Sequence, residues 1–237
     1  DFLAVPFLDM KDNKFKTTLD VVLKHFDPDA AIYYSVQPTG ESKPAFALYA
    51  KPVIINKTSD VYFYAEKNGV KTAVINQKFY LVPTDRTIEV LSKVSSMYTA
   101  GGMEALIDGV IGTANWKTGE WQSYYAQDFS AIVDLKQVKS ISYVAIHVLQ
   151  DVSPWIVYPK EVVFEISNDG KNFQPLVTVP NTVSKEVHGP VVQELGKNVN
   201  ANARYIKVKA VTGGALPAWH ESGGSPSHIF IDEVIIK

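Results

Sequence analysis

Short runs of β-branched and aromatic residues, each closed off by Gly, Pro, Asn or Asp, recur from one end of this chain to the other. No convincing amphipathic helical repeat interrupts them. That pattern restricts the fold more than any other feature, because period-two alternation between turn signals specifies half-buried strands. "TTLDVVLKHF" (17–26), "AAIYYSVQ" (30–37), "DVYFYAEKNG" (60–69) and "TAVINQKFYLV" (72–82) form a first series, punctuated by Asp-Pro-Asp, Pro-Thr-Gly and Lys-Asn-Gly turns. A second series follows: "AIVDL" (131–135), "SISYVAIHVL" (140–149), "EVVFEIS" (161–167), "FQPLVTV" (173–179), "VVQELG" (191–196), "RYIKVKAV" (204–211) and "IFIDEVIIK" (229–237). "SNDGKNF" (167–173) reads as a hairpin turn, with Asn168, Asp169 and Gly170 where a positive φ is needed.

The expected class is all-β, with two β-sandwiches in tandem. A seam near residue 88, around Pro83 and the charged turn of "LVPTDRTIEV", divides residues 1–88 from residues 89–237. "TIEVLSKVSSMYTAGG" (87–102), the one helical candidate, is too β-branched and Ser-rich for a helix. The chain has neither internal repeats nor low-complexity tracts.

Composition narrows the function. A hydrophobic content of 46% in 237 residues is enough for well-formed cores. A net charge of −2 argues against nucleic acid as a partner, which needs clustered Lys and Arg. No apolar run approaches the ~18 residues of a membrane span. Having no cysteine, the chain can form no disulfide, thiolate metal site or cysteine nucleophile. Its opening, "DFLAVPFLDM", carries neither an initiator Met nor a basic–apolar signal segment, and reads as that of a mature chain or an excised piece of a longer one.

"LPAWHESGGSPSHIF" (216–230) gathers His220, Glu221, Ser222, Ser225 and His228, the residue types of hydrolytic catalysis. The spacing does not follow. A zincin pair needs two histidines one helical turn apart, whereas these stand eight positions apart across two glycines and a proline. Neither serine occupies a Gly-x-Ser-x-Gly elbow. Asp232-Glu233 is an adjacent carboxylate pair in an apolar setting, but strand neighbours point to opposite faces, so one is expected outward and the other inward, held by hydrogen bonds or a cation.

All four tryptophans, Trp116, Trp121, Trp155 and Trp219, fall in loop segments of the second series. A loop indole either packs down as a loop core or offers its face to a ligand such as the C–H face of a sugar. Asp108, in the Gly-containing turn "LIDGVIGTANW", offers oxygen of the kind a hard cation takes.

Taken in order, "LIDG", "WKTGEWQSY", "VDL", "LQDVSPWIVYPKEVVFEISNDG" and "LPAWHESGGSPSHIFIDEVII" resemble the coagulation-factor type C (discoidin-like) sandwich, over roughly residues 95–237. The variant they are most similar to is the one attached to bacterial family-20 glycoside hydrolases, the β-N-acetylhexosaminidases. The first series is similar to the small immunoglobulin or fibronectin type III-like module found beside it. The resemblance implies a non-catalytic accessory region of a periplasmic, cell-surface or secreted bacterial enzyme. Its galactose-binding-like second domain would take a terminal hexose or N-acetylhexosamine through loop residues, here Trp121, Trp155, Trp219 and His220. It also implies a structural calcium held by Asp108 and Glu233, and a catalytic barrel upstream as partner. The family's catalytic Asp-Glu lies in that barrel, which takes ~250 residues by itself and has no counterpart here, so Asp232-Glu233 is not promoted to that role. The alternative is that both sandwiches act only as spacers and braces on such a barrel.

Overall fold

The computed structural model describes residues 3–10 and 12–237, and the chain divides into two compact units, Asp1–Val82 and Pro83–Lys237. Regular structure among the described residues is strand, apart from two short 3-10 turns, Met103–Ile107 and Trp116–Thr118. Among the described residues no helix is long and apolar enough to cross a membrane.

The first unit is built around antiparallel strands Ala31–Pro38, Ser59–Lys67 and Ile75–Leu81. Along Ser59–Lys67, Val61, Phe63 and Ala65 are buried while Tyr62 and Tyr64 turn outward, the alternation the sequence predicts. Asn68 and Gly69 both have positive φ and close the hairpin onto Val70–Lys71, as a type I′ turn requires. "TTLDVVLKHF" is not one strand. It splits into Leu19–Val21, which pairs with Val53–Ile55, and Leu23–Lys24, which pairs with Phe7–Leu8. Val21, Leu23 and Ile55 from these small sheets join Ile32, Val61, Phe63 and Phe79 in one core.

The second unit has seven strands: β1 (Thr87–Val90), β2 (Gln122–Tyr125), β3 (Phe129–Gln150), β4 (Glu161–Ser167), β5 (Gln174–Pro180), β6 (Val191–Val211) and β7 (His228–Ile236). Their order is β2-β7-β3-β6-β4-β5, with β1 paired to β3. Two pairs of expected strands have merged, 131–135 with 140–149 into β3, and 191–196 with 204–211 into β6. Each long strand therefore serves two layers. Residues 129–134 of β3 pair with β1 and with 205–210 of β6, while residues 139–150 pair with 191–203 of β6, and 144–149 of them with β7. The register breaks between Asp134 and Lys139, where Lys136 takes a φ of 66° and Arg204 grips both oxygens of Asp134 at 2.9 Å. Val133, Phe164 and Val208 from one layer and Ile146, Val148 and Ile231 from the other fill the common core.

In the "SNDGKNF" turn only Gly170 has a positive φ. Asn168 and Asp169 stay in ordinary conformations, because the Ser167 hydroxyl and the Asp169 carboxylate collect the turn's amide hydrogens.

Candidate functional site

At one end of the second unit, three connections leave neighbouring strand ends: residues 151–160 before β4, 181–190 after β5, and 212–227 after β6. Register places Glu161 opposite both Pro180 and Val211, so the three emerge side by side. The 212–227 connection is rich in Gly and Pro but is firmly tied. His220 is buried, and its Nε2–H donates to the Ser153 carbonyl at 3.1 Å while Nδ1 accepts the Ser222 N–H at 3.0 Å. The Ser222–His220 contact thus runs through the backbone amide and not the hydroxyl. Lys185 donates to the carbonyls of Gly213 and Ala215, both at 2.7 Å, and burial depresses its pKa. Gly223 fits close against backbone, with a Cβ there falling 2.9 Å from the Pro217 carbonyl oxygen.

On this scaffold Trp219 stands 42% exposed. Its ring lies 5.1 Å from exposed His188, on the 181–190 connection, and 6.0 Å from His220. Trp155 meets His220 edge-on at 6.3 Å and packs on Val152, Val157 and Leu216, with an unusual φ of 70°. Trp155, Trp219 and His220 are therefore brought together. His188 was missed by sequence reasoning, since nothing in "VSKEVHGP" marks it; only the proximity of two loops does.

Trp121 does not belong to this group: the ring expected to face a ligand beside Trp155 and Trp219 is instead buried elsewhere in the unit. It is 1% exposed, its N–H donates to the Thr113 carbonyl at 3.0 Å, and its ring stacks on His147 at 5.4 Å. An indole whose N–H finds a backbone carbonyl and whose face covers a glycine gains more from burial than from exposure. The glycine is Gly112, whose Cβ position lies 2.8 Å from the Trp121 ring. Trp116 is half-buried against Tyr98 and Phe230 and is hydrogen-bonded to Asp151. It helps line an open cleft of about 240 Å³ with residues 97–101, Lys117, Gly119 and the edge of the otherwise buried Trp121.

The carboxylates of β7 depart from the expected in–out alternation, for both Asp232 and Glu233 are buried. The register shift between His147 and Val148 leaves Asp232 as a bulged residue, so both side chains turn inward. Asp232 accepts from His147 Nδ1 at 2.7 Å and from the Gly112 N–H. Burial pushes its carboxyl up against those two contacts. Glu233 accepts the Gly109 N–H at 3.2 Å and is pushed up to about 9, mainly by burial and then by the charge of Asp108. Asp108 accepts the Val110 N–H at 2.8 Å. Among the described residues no group of three or more His, Cys, Asp or Glu could hold a metal. A cation here would rest on these two carboxylates and on backbone carbonyls, an all-oxygen set that suits a hard ion.

Ser123 Oγ and His228 Nδ1 lie 2.6 Å apart, but Ser123 is fully buried and its hydroxyl does not face a cleft. The pair braces β2 against β7.

Comparison with curated proteins finds no match. Solved structures similar to this chain include CBM32-3 from a family 31 glycoside hydrolase of Clostridium perfringens, at 14% identity, covering 67% of this chain and 94% of that one, with a TM-score of 0.42. A family 32 CBM of the same organism, in complex with galactose, has 17% identity, coverage of 65% and 93%, and a TM-score of 0.41. The C-terminal domain of a Bacteroides fragilis chitobiase has 20% identity, coverage of 67% and 96%, and a TM-score of 0.40. The F5/8 type C domain matches residues 91–229, more than half of the sequence, and on that match the chain belongs to the F5/8 type C domain family.

Proposed function

We propose that the second unit is a carbohydrate-binding module that holds a terminal hexose or N-acetylhexosamine against Trp219. The observation that carries this reading is the exposed Trp219 ring beside His188 on a tied loop cluster. An indole face stacks on the apolar C–H face of a pyranose, and imidazole nitrogens take its hydroxyls. His220 and Lys185 hold the loops, which lowers the entropy lost on binding. The contact is shallow, so affinity falls in the millimolar range and no acid–base chemistry is involved. The resemblance to modules of family-20 enzymes supports placing this region, with an immunoglobulin or fibronectin type III-like first unit, in a secreted, periplasmic or cell-surface bacterial β-N-acetylhexosaminidase, beside its catalytic barrel. Asp108 and Glu233 are the residues that would hold a structural calcium under the loops.

A bracing role is favoured for the first unit by Phe26, which is 81% exposed and rests on Phe7 at 4.7 Å. Aromatic side chains such as these two are enriched where protein surfaces meet.

Titration of the whole chain with galactose, N-acetylglucosamine and their oligomers, followed by tryptophan fluorescence and amide chemical shifts, tests the binding site. Trp219→Ala should abolish the response of the 181–190 and 212–227 connections. Absence of any saturable response there at ~100 mM sugar, well past millimolar affinity, would overturn the assignment.

A further inference from the structure

The far end of the same sandwich carries a cleft of about 310 Å³ between the β4–β5 turn and the middle of β6, lined by Ile166, Ser167, Asn168, Asp169, Asn172, Gln174, Asn202 and Ala203. It lies across the length of β4 from the Trp219 loops, because Glu161 begins that strand at one end and Ser167 closes it at the other. Six residue steps along a strand make about 20 Å. One molecule of sugar could not reach both places.

Four side chains of the lining are carboxamides, and their bonding is only partly used. Asn168 Oδ1 accepts the Arg204 N–H at 3.2 Å, and Asn172 Nδ2 donates to Asp169 at 2.7 Å. Asn168 Nδ2, Asn172 Oδ1 and both polar atoms of Gln174 and of Asn202 make no hydrogen bond among the described residues. Each primary amide presents a donor and an acceptor side by side, the arrangement that vicinal hydroxyls satisfy by both giving and receiving. Ile166 and Ala203 supply a small apolar floor.

The charge in the cleft selects among ligands. Asp169 accepts from the Ser167 hydroxyl, the Lys171 and Asn172 amides and the Asn172 side chain, all at 2.7–2.8 Å. The Asn172 and Lys171 amides hold its carboxyl far below the usual range, so it is a fixed anion. No Lys or Arg lines the cleft to pair with a carboxylate or phosphate. A volume near 300 Å³ falls at the small end of small-molecule sites.

We propose that this carboxamide-lined cleft, at the end of the sandwich opposite Trp219, is a second binding site for a neutral sugar, which makes the unit bivalent. The cleft as a site is independent of the Trp219 reading, since the lining contains no aromatic ring; only the bivalency rests on that reading as well. Two weak sites on one rigid unit engage a branched or clustered glycan with higher avidity than either does alone.

Amide chemical shifts of the whole chain test it, with N-acetylglucosamine and methyl β-galactoside as neutral probes and glucuronate as the anionic control. The expected result is saturable movement of the backbone and side-chain amides of Asn168, Asn172, Gln174 and Asn202 with neutral sugar, unchanged in Trp219→Ala. Glucuronate should produce none. Gln174→Ala combined with Asn202→Ala, both exposed positions, should weaken binding here at least ~10-fold, since each lost hydrogen bond is worth about fivefold, and should leave the Trp219 response intact. Failure of these four residues to respond to either neutral sugar at ~100 mM would overturn the second site. So would an equal response to glucuronate, or an unchanged affinity in the double variant. None of these outcomes bears on Trp219, whose own resonances report separately.

Discussion

The imidazole of His220 donates to the carbonyl of Ser153 at 3.1 Å, so two connections remote in sequence are locked together one residue from the exposed Trp219 ring. The neutral Nε2–H tautomer is the one this contact requires, because Nδ1 already accepts the Ser222 N–H. His220 is buried where Trp219 is not, and this separates the residue that braces from the one that would touch a ligand.

His220→Ala should therefore act on binding without removing a ligand contact. Two hydrogen bonds and some packing are lost, so a destabilisation of about 1–2 kcal/mol is expected in denaturant melts. Sugar affinity at the Trp219 loops should fall several-fold alongside. Trp219→Ala should show the reverse balance, with stability within ~0.5 kcal/mol of the parent and binding at that end lost. Equal stability losses in the two variants would refute this division of roles.

Lys185 ties the loop of His188 to the loop of Trp219 through two carbonyl oxygens. Lys185→Met keeps the aliphatic stem and removes the donors. It should cost about 1 kcal/mol of stability, and hydrogen exchange at Gly214 and Ala215 should speed up. Affinity for sugar at Trp219 should drop by a smaller factor than in Trp219→Ala.

Several features of the second unit could be read from the chain, and the exceptions share a cause. Period-two alternation marks β4, where Val162 and Phe164 are buried between half-buried neighbours, whereas β7 is buried along most of its length and is marked by its apolar run alone. The fusion of 131–135 with 140–149 has no local mark in the polar "KQVK" between them; the chain bends there, held by Arg204, 70 positions away from Asp134. Trp121 looks like a loop residue until Gly112, Thr113 and His147 are assembled around it. Asp232 and Glu233 obey the strand rule in sequence, and a one-residue bulge against β3 breaks it. His188 lacked any local mark. Each of these depends on contacts between distant segments, which local pattern does not encode.

Gly112→Ala tests the packing that buries Trp121. The new Cβ would lie 2.8 Å from the indole and 2.9 Å from Asp232 Oδ2, inside van der Waals contact with both. Neither neighbour can move freely, because the ring stacks on His147 and the carboxylate is bonded to it. Overpacking of this kind costs about 1–3 kcal/mol, which lowers the melting temperature by several degrees. The near-ultraviolet signal of Trp121 should change with it. An unshifted melt would show that this region is looser than the distances indicate.

Glu233 gives the pH and metal prediction. Burial, reinforced by the Asp108 charge, raises its folded-state pKa to about 9, against an ordinary carboxyl when unfolded. Between ~4.3 and that value the folded chain keeps a proton that the unfolded chain has released, so in the absence of metal stability falls as pH rises. A bound divalent cation would replace the proton and let Glu233 ionise beside Asp108. Calcium should then raise the melting temperature more at about pH 8 than at about pH 5; at pH 8 a hundredfold excess over its Kd stabilises the fold by roughly 2.7 kcal/mol. Glu233→Gln should remove the calcium increment and flatten the pH slope, leaving the part that the raised carboxyls of Asp232 and Asp151 contribute. Melts with calcium and with chelator at the two pH values decide it: identical curves at both would leave Glu233 beside Asp108 with no ion to hold.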